Sequence, residues 1–310
     1  MTALIEAKNL YRYYDDHCAV HDVSFNLNKG EILGFLGPNG AGKTTTMQML
    51  CGNLAPSAGQ IIINGIDLLD KPKLAKSILG YLPDTPPLYK ELSVDEYLDY
   101  CARLHRLPFR AIAKAVAKAK GRCGLEAVSD RLISNLSKGF QQRIGIAQAI
   151  VHEPELIILD EPTVGLDPIQ IKEIRALIKE LGSDHGVILS THILSEVQES
   201  CSHVQIINRG KLILHETIAG LNRQMNGASI KFTTREPIDT ARLSSLEGVT
   251  NITMIAKNQY LLQHANEPQL LEKVALQIIE AGWGLGEIAP VRQSIEDIFI
   301  SMTQKDEDAR

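Results

Sequence analysis

Gly37 to Thr44 reads GPNGAGKT and matches every fixed position of the phosphate-loop pattern G-x-x-x-x-G-K-[ST]. The flanking sequence gives it a fold. Upstream, Glu31 to Leu36 (EILGFL) is a short apolar run that reads as a buried strand, and downstream Lys43 to Cys51 reads as a helix. Strand, glycine loop and helix is the setting in which the pattern has a mechanism. Gly37, Gly40 and Gly42 let backbone N–H groups come close to an anion. The helix then presents its positive end to that anion. The whole loop, Gly37, Pro38, Asn39, Gly40, Ala41, Gly42, Lys43 and Thr44 with Thr45 behind it, is expected to wrap a chain of phosphates. Lys43 would reach the outer phosphates and the Thr44 hydroxyl would ligate Mg2+.

Outward from the loop, other short apolar runs punctuate the chain. Leu4 to Leu10 and Val20 to Leu27 alternate apolar and polar residues, as strands do. Gln60 to Asn64 and Ile78 to Leu82 read as strands, ended by Gly65 and Pro83. From Val94 to Arg122 the spacing turns helical, which predicts a helical insertion. Leu156 to Glu161 reads LIILDE, an apolar strand ending in two acids. Beyond it a helix (Ile169 to Leu181), a strand (Gly186 to Ser190), a helix (Ile193 to Ser200) and a strand (Val204 to Asn208) alternate. That order predicts an α/β fold with a parallel sheet covered on both faces. Near Gly220 the character changes to β-α-β-β-α-β-α, ending in a helix at Ser294 to Met302 and a charged tail from Lys305 to Arg310, expected to be disordered. This predicts a small α+β domain of the ferredoxin-like kind.

Composition narrows the function classes. The formal net charge of -5 argues against a general nucleic-acid binder, so no nucleic-acid partner is expected. No stretch reaches the run of about 18 apolar residues that spans a bilayer, and MTALIEAKNL has no long apolar core of a secretory signal. Any membrane role must come through a partner. Cys18, Cys51, Cys101, Cys123 and Cys201 suit neither a zinc site nor a disulfide framework, and read as scattered reduced thiols.

Between loop and acids lies Leu136 to Arg143, LSKGFQQR. Loop, LSxG-type motif and LIILDE in that order resemble the ATP-binding cassette (ABC) ATPases, and the resemblance runs from Leu4 to about Gly220. It implies a phosphate-loop NTPase cassette with an N-terminal antiparallel β subdomain, a parallel-sheet core and a helical subdomain at about 85–140. The expected division is 1–223 for the cassette, 224–304 for the accessory α+β domain and 305–310 for the tail. It implies ATP and Mg2+ as ligands. Asp160 would hold Mg2+, with Thr44 and Asp84; Glu161 would orient or deprotonate the attacking water. In Ser190-Thr191-His192, His192 would reach the γ-phosphate, completing a catalytic set with Glu161 and Lys43. Tyr14 resembles the aromatic that stacks on adenine, with Tyr11 and Tyr13 close by in sequence. Gly165-Leu166-Asp167-Pro168 resembles the loop that carries signals between two subunits.

The same resemblance gives LSKGFQQR its role. The Ser137 hydroxyl, the Gly139 N–H and the following helix end would meet the γ-phosphate held by a second copy of the chain, making ATP the glue of a homodimer. An ordinary helix N-cap at Ser137 is compatible with that role. Lys138 and Phe140 depart from the usual LSGGQ, and Asp84 stands where the family has glutamine. An ionised aspartate only accepts hydrogen bonds. These departures and YLPDTPPLY resemble the exporter-type (ABC-2) ATPases that serve a separate permease, among them drug, sodium, gliding-motility and copper-maturation systems. SIEDIFISMT (Ser294 to Thr303) resembles the closing helix of that subgroup's accessory domain. The implied place is cytoplasmic, on the inner face of the membrane through the permease. The alternative is a soluble cassette acting on nucleic acid or ribosomes, but the second cassette, coiled-coil insertion or zinc cysteines usual there are missing.

Overall fold

The computed structural model describes residues 3–225, 229–264 and 269–291. Compact units divide between Ile218 and Ala219, a few residues before the expected 223/224 boundary. The first unit begins with β1 (Ile5–Tyr14), β2 (His17–Leu27), β3 (Ile32–Leu36), α1 (Lys43–Leu50), β4 (Ala58–Ile63), β5 (Ile66–Asp67), α2 (Pro72–Ser77) and β6 (Leu79–Leu82). It continues with α3 (Val94–Leu104), α4 (Phe109–Cys123), α5 (Lys138–Ile150), β7 (Leu156–Asp160), α6 (Pro168–Asp184), β8 (Gly186–Thr191), α7 (Leu194–Ser200), β9 (His203–Asn208) and β10 (Lys211–Thr217). Helix α8 (Ile218–Met225) spans the division. The second unit holds β11 (Ser229–Thr234), α9 (Thr240–Ser244), β12 (Val249–Ala256), β13 (Gln259–His264), α10 (Leu270–Glu280) and β14 (Leu285–Pro290).

The central sheet has the order β10-β9-β3-β8-β7-β6, parallel except where β10 returns beside β9. Strands β3, β7 and β8 are buried along their whole length, as apolar runs covered on both faces must be. Their alternate side chains feed two cores. Ile157 and Leu159 join the cluster that α3, α4 and α5 build, while Leu156 and Ile158 join one built from the antiparallel sheet β2-β1-β4-β5 and α1. Two registers align the strand ends. Leu36 pairs with Thr191, and Asp160 pairs with Ser190, so three strands end together at one edge of the sheet.

The helical stretch expected from Val94 to Arg122 is two helices. Ser93 and Glu96 form a reciprocal capping box that starts α3. Arg106 then takes a left-handed φ of 58°, and Pro108, which cannot donate a backbone hydrogen bond, caps α4. Both helices bury a stripe of side chains in the cluster that also holds α5 residues. All five cysteines are free thiols.

In the second unit the strand order β12-β13-β11-β14 is antiparallel throughout. A β-α-β-β-α-β chain in that order is the ferredoxin-like arrangement. Ile230, Phe232, Tyr260 and Leu262 alternate along two strands and pack with Leu270, Val274 and Ile278 of α10. The expected helix at Ser294 to Met302 and the tail from Lys305 lie outside the described residues.

Candidate active site

A cleft of about 520 Å³ opens where β3, β7 and β8 end. It brings together Tyr14, Asn39, Gly40, Gly42, Lys43, Thr44, Thr45, Asp84, Glu161 and His192. The remaining loop residues support it from behind. Gly37 and Pro38 offer their carbonyls to Lys43 Nζ at 2.9 and 3.2 Å, and Ala41 donates its N–H to Pro38 O at 3.2 Å. The loop's path requires glycine at two places. Gly42 caps α1 with φ 104°, and a Cβ there would lie 2.6 Å from the Ala19 carbonyl oxygen. At Gly37 a Cβ would lie 2.4 Å from Ile207 O. Any side chain would therefore push the loop off its seat.

Lys43 is 5% exposed, and an ammonium buried this far needs a partner. Its partner is Glu161, with Nζ 3.3 Å from Oε1. The other Glu161 oxygen, Oε2, accepts a bond from His192 Nδ1–H at 2.8 Å. Glu161 thus sits between a buried cation and a half-exposed imidazole. Its backbone is in the left-handed region at φ 49°, where a non-glycine residue is held only by its surroundings. The holding groups are the Ser190 hydroxyl and carbonyl, which accept the Glu161 N–H at 3.0 and 3.2 Å.

Asp160 lies one layer deeper and is fully buried. Burial pushes its carboxyl above the usual aspartate range, Ser190 and Thr44 hydroxyls pull it partly back, and the charges of Glu161 and Asp84 push it further up. Ser190 Oγ donates to Asp160 Oδ1. Asp160 Oδ2 is buried with no hydrogen-bond partner. An orphaned buried carboxylate oxygen, acted on by Thr44 and Asp84, fits a hard divalent cation. Among the described residues no group of three or more His, Cys, Asp or Glu forms a self-sufficient metal cage.

Tyr14 ends β1 at the cleft mouth, 43% exposed, with the Arg12 guanidinium 4.8 Å from its ring centroid. Tyr11 and Tyr13 stack on each other and do not line the cleft. Ser137 and Gly139 are not brought to this cleft either. Ser137 caps α5 and accepts the Phe140 N–H at 3.4 Å. Gly139 is buried against Gln170, where a Cβ would lie 2.6 Å from Gln170 Cδ. Asp167 caps α6 by accepting from Ile169 and Gln170 N–H groups, at 2.9 and 3.0 Å.

Sequence reasoning missed His17, Ala19 and Val164, which also line the cleft. His17 had a findable signal: Asp15-Asp16 turns β1 into β2, and the hairpin register sets His17 opposite Tyr14. Ala19 and Val164 carried none.

A family model described as "ABC transporter" matches residues 20–164. The ABC transporter ATP-binding protein YhcH of Bacillus subtilis (strain 168) is 34% identical over 312 residues, covering 98% of this chain and 97% of that protein. The bacitracin transport ATP-binding protein BcrA of Bacillus licheniformis is 39% identical over 215 residues, 69% of each chain. Among solved structures, cbiO1 from Clostridium perfringens, part of the ABC transporter complex cbiONQ, is 30% identical at TM-score 0.64. The match covers 73% of this chain and 95% of that one.

Proposed function

The chain belongs to the family of ABC transporter ATP-binding proteins, and from that premise we propose that it is the ATP-hydrolysing subunit of an exporter-type transporter. It dimerises with a second copy of itself on ATP and drives a separate membrane permease. One observation carries the reading: Lys43, Glu161 and His192 meet in a single cleft at the sheet edge, while LSKGFQQR lies outside it. A cleft with its own cation, base and imidazole but without the serine-glycine motif is half of a site that a second copy completes.

Each residue has a part in the mechanism. Backbone N–H groups of the loop and the end of α1 bind the phosphates, and Tyr14 offers its ring to the base. Lys43 leaves Glu161 and turns to the outer phosphates. Thr44, Asp160 and Asp84 would hold Mg2+, which when bound offsets charge on the phosphate oxygens. Glu161, released from Lys43, orients the attacking water and takes its proton. His192 keeps its contact with Glu161 and faces the γ-phosphate. Ser137 and Gly139 of the second copy close over that phosphate, so hydrolysis removes what joins the copies.

No helix among the described residues is long and apolar enough to cross a membrane. The permease would dock beside Asp84, where Tyr89 is 51% exposed and packs edge-on with Tyr97 and Tyr100. The subunit then sits on the inner face of the cell membrane. The relative BcrA carries the name of a bacitracin transport ATP-binding protein, which supports a transporter, and the LSKGF form supports export. The test is affinity purification from detergent-solubilised membranes of native cells. A permease should co-elute in stoichiometric amount; a chain recovered alone from the soluble fraction would sink the reading.

A further inference from the structure

Glu196 on α7 is 1% exposed and touches neither the cleft nor solvent. A carboxylate buried this fully persists where its lone pairs are used. Both oxygens are. Thr163 Oγ1 donates to Oε1 at 2.6 Å and Thr191 Oγ1 donates to Oε2 at 2.7 Å, from hydroxyls that are themselves buried. Arg175 Nη2 of α6 adds positive charge 3.8 Å from Oε1.

The two threonines flank the reactive pair in the chain. Thr163 lies two residues after Glu161, and Thr191 immediately precedes His192. Thr191 Oγ1 also accepts the Ile193 N–H at 3.1 Å, so the backbone on both sides of His192 is tied to one hydroxyl. On the other segment Ser190 pins the Glu161 N–H, and Glu196 pins the chain two residues later. The left-handed backbone of Glu161 is therefore clamped from both ends.

We infer that Glu196 is a positioning residue for the Glu161–His192 pair, its two carboxylate oxygens holding the two segments that carry them in register. The inference rests on the ATPase reading. Glu196→Gln keeps the volume but removes the charge and replaces one oxygen with an NH2, which the threonine hydroxyl it faces can meet only by turning from donor to acceptor. A short charge-assisted bond becomes a neutral one, that clamp weakens, and the 2.8 Å contact between His192 and Glu161 loosens.

The test uses the full chain. In Glu196→Gln, kcat for ATP should fall about 10- to 100-fold, the scale of a misplacement of about 1 Å. The Kd for ATP should stay within about 3-fold, because a positioning defect spares ground-state binding. Thr163→Val should fall in the same direction and Thr163→Ser should stay near wild type, which keeps the test decisive if Glu196→Gln does not fold. In a His192→Ala background, Glu196→Gln should cost less than about 3-fold, since residues acting as a unit are not additive. Lys179→Gln, on the exposed face of α6, is the control. A variant that only melts earlier, with kcat per folded site unchanged, would overturn the inference, as would equal losses with and without His192. A wild-type chain that does not hydrolyse ATP would overturn the ATPase reading and this inference with it, whereas wild-type turnover in Glu161→Gln would overturn this inference and leave the ATPase reading standing. Normal turnover in Glu196→Gln beside an inactive Glu161→Gln would overturn this inference alone.

Discussion

Glu161→Gln should make the protein bind nucleotide more tightly while hydrolysing it far more slowly. Lys43 Nζ lies 3.3 Å from Glu161 Oε1, and both groups are nearly buried. Coulomb attraction at that distance in an effective dielectric of about 20 is about 5 kcal/mol. Desolvation removes most of it, and a charge-assisted bond of this kind nets about 1.5–3 kcal/mol. The wild-type chain must break that bond when Lys43 turns to the phosphates. Glutamine has nearly the same shape and no charge, so the variant is spared the cost. At about 1.4 kcal/mol per tenfold, affinity should rise about 10- to 100-fold. ADP should share the gain, because the competition is for Lys43 and not for the γ-phosphate. Turnover should fall by about 10²–10⁴, the usual worth of a positioned general base. A fluorescent nucleotide titration measures the first effect, phosphate release the second, and sedimentation velocity with ATP follows the dimer that should accumulate. Weaker binding of ADP in the variant would refute the competition argument, and near-normal turnover would remove Glu161 from catalysis.

Three further outcomes are expected. Gly42→Ala should abolish nucleotide binding and lower Tm, because a Cβ at φ 104° would press on the Ala19 carbonyl; binding retained in a titration would contradict the tight seat of the loop. Ser137→Ala should cost about 1 kcal/mol of stability as a lost helix cap, and should weaken ATP-dependent dimerisation more than ATP binding by the monomer; equal losses would count against a contact across the dimer. Acid should destabilise the fold through His152, whose ring stacks on His105 at 3.6 Å and whose pKa is pushed down to about 4 by burial and then by His105. A histidine with a depressed folded pKa contributes stability above its unfolded value of about 6.5, and loses it as pH falls toward the folded one. That range corresponds to about 3 kcal/mol, and His152→Gln should flatten the dependence of urea midpoint on pH between them.

Much of the site was legible because its residues follow short apolar runs. A run such as LIIL or VIL buries on both faces of a parallel sheet and delivers the next polar residue to the sheet edge. Asp160 and Glu161 were readable in that way and the glycine spacing marked the loop, whereas His192, third after its run, was singled out by the family resemblance. Tyr14 was singled out from Tyr11 and Tyr13 by the family resemblance; a one-residue change along a strand flips a side chain to the other face, and Tyr14 lines the cleft while the other two do not. The break between α3 and α4 was hidden because helical spacing continues through Leu104 to Phe109 and only Arg106 and Pro108 interrupt it.

The sequence by itself determined most strands of the central sheet, the phosphate loop after β3, the two acids at the end of β7, and the β-α-β-β-α-β order of the second unit. Those properties are local: they depend on periodicity, glycine, proline and the residue after an apolar run. Tertiary structure alone decided that β8 lies between β3 and β7, so that Leu36, Asp160 and Thr191 end side by side and Lys43 meets Glu161 and His192. It also decided that Glu196, on α7, is buried between two threonines. Strand order and side-chain burial are set by packing between distant segments, and no window of neighbouring residues records them.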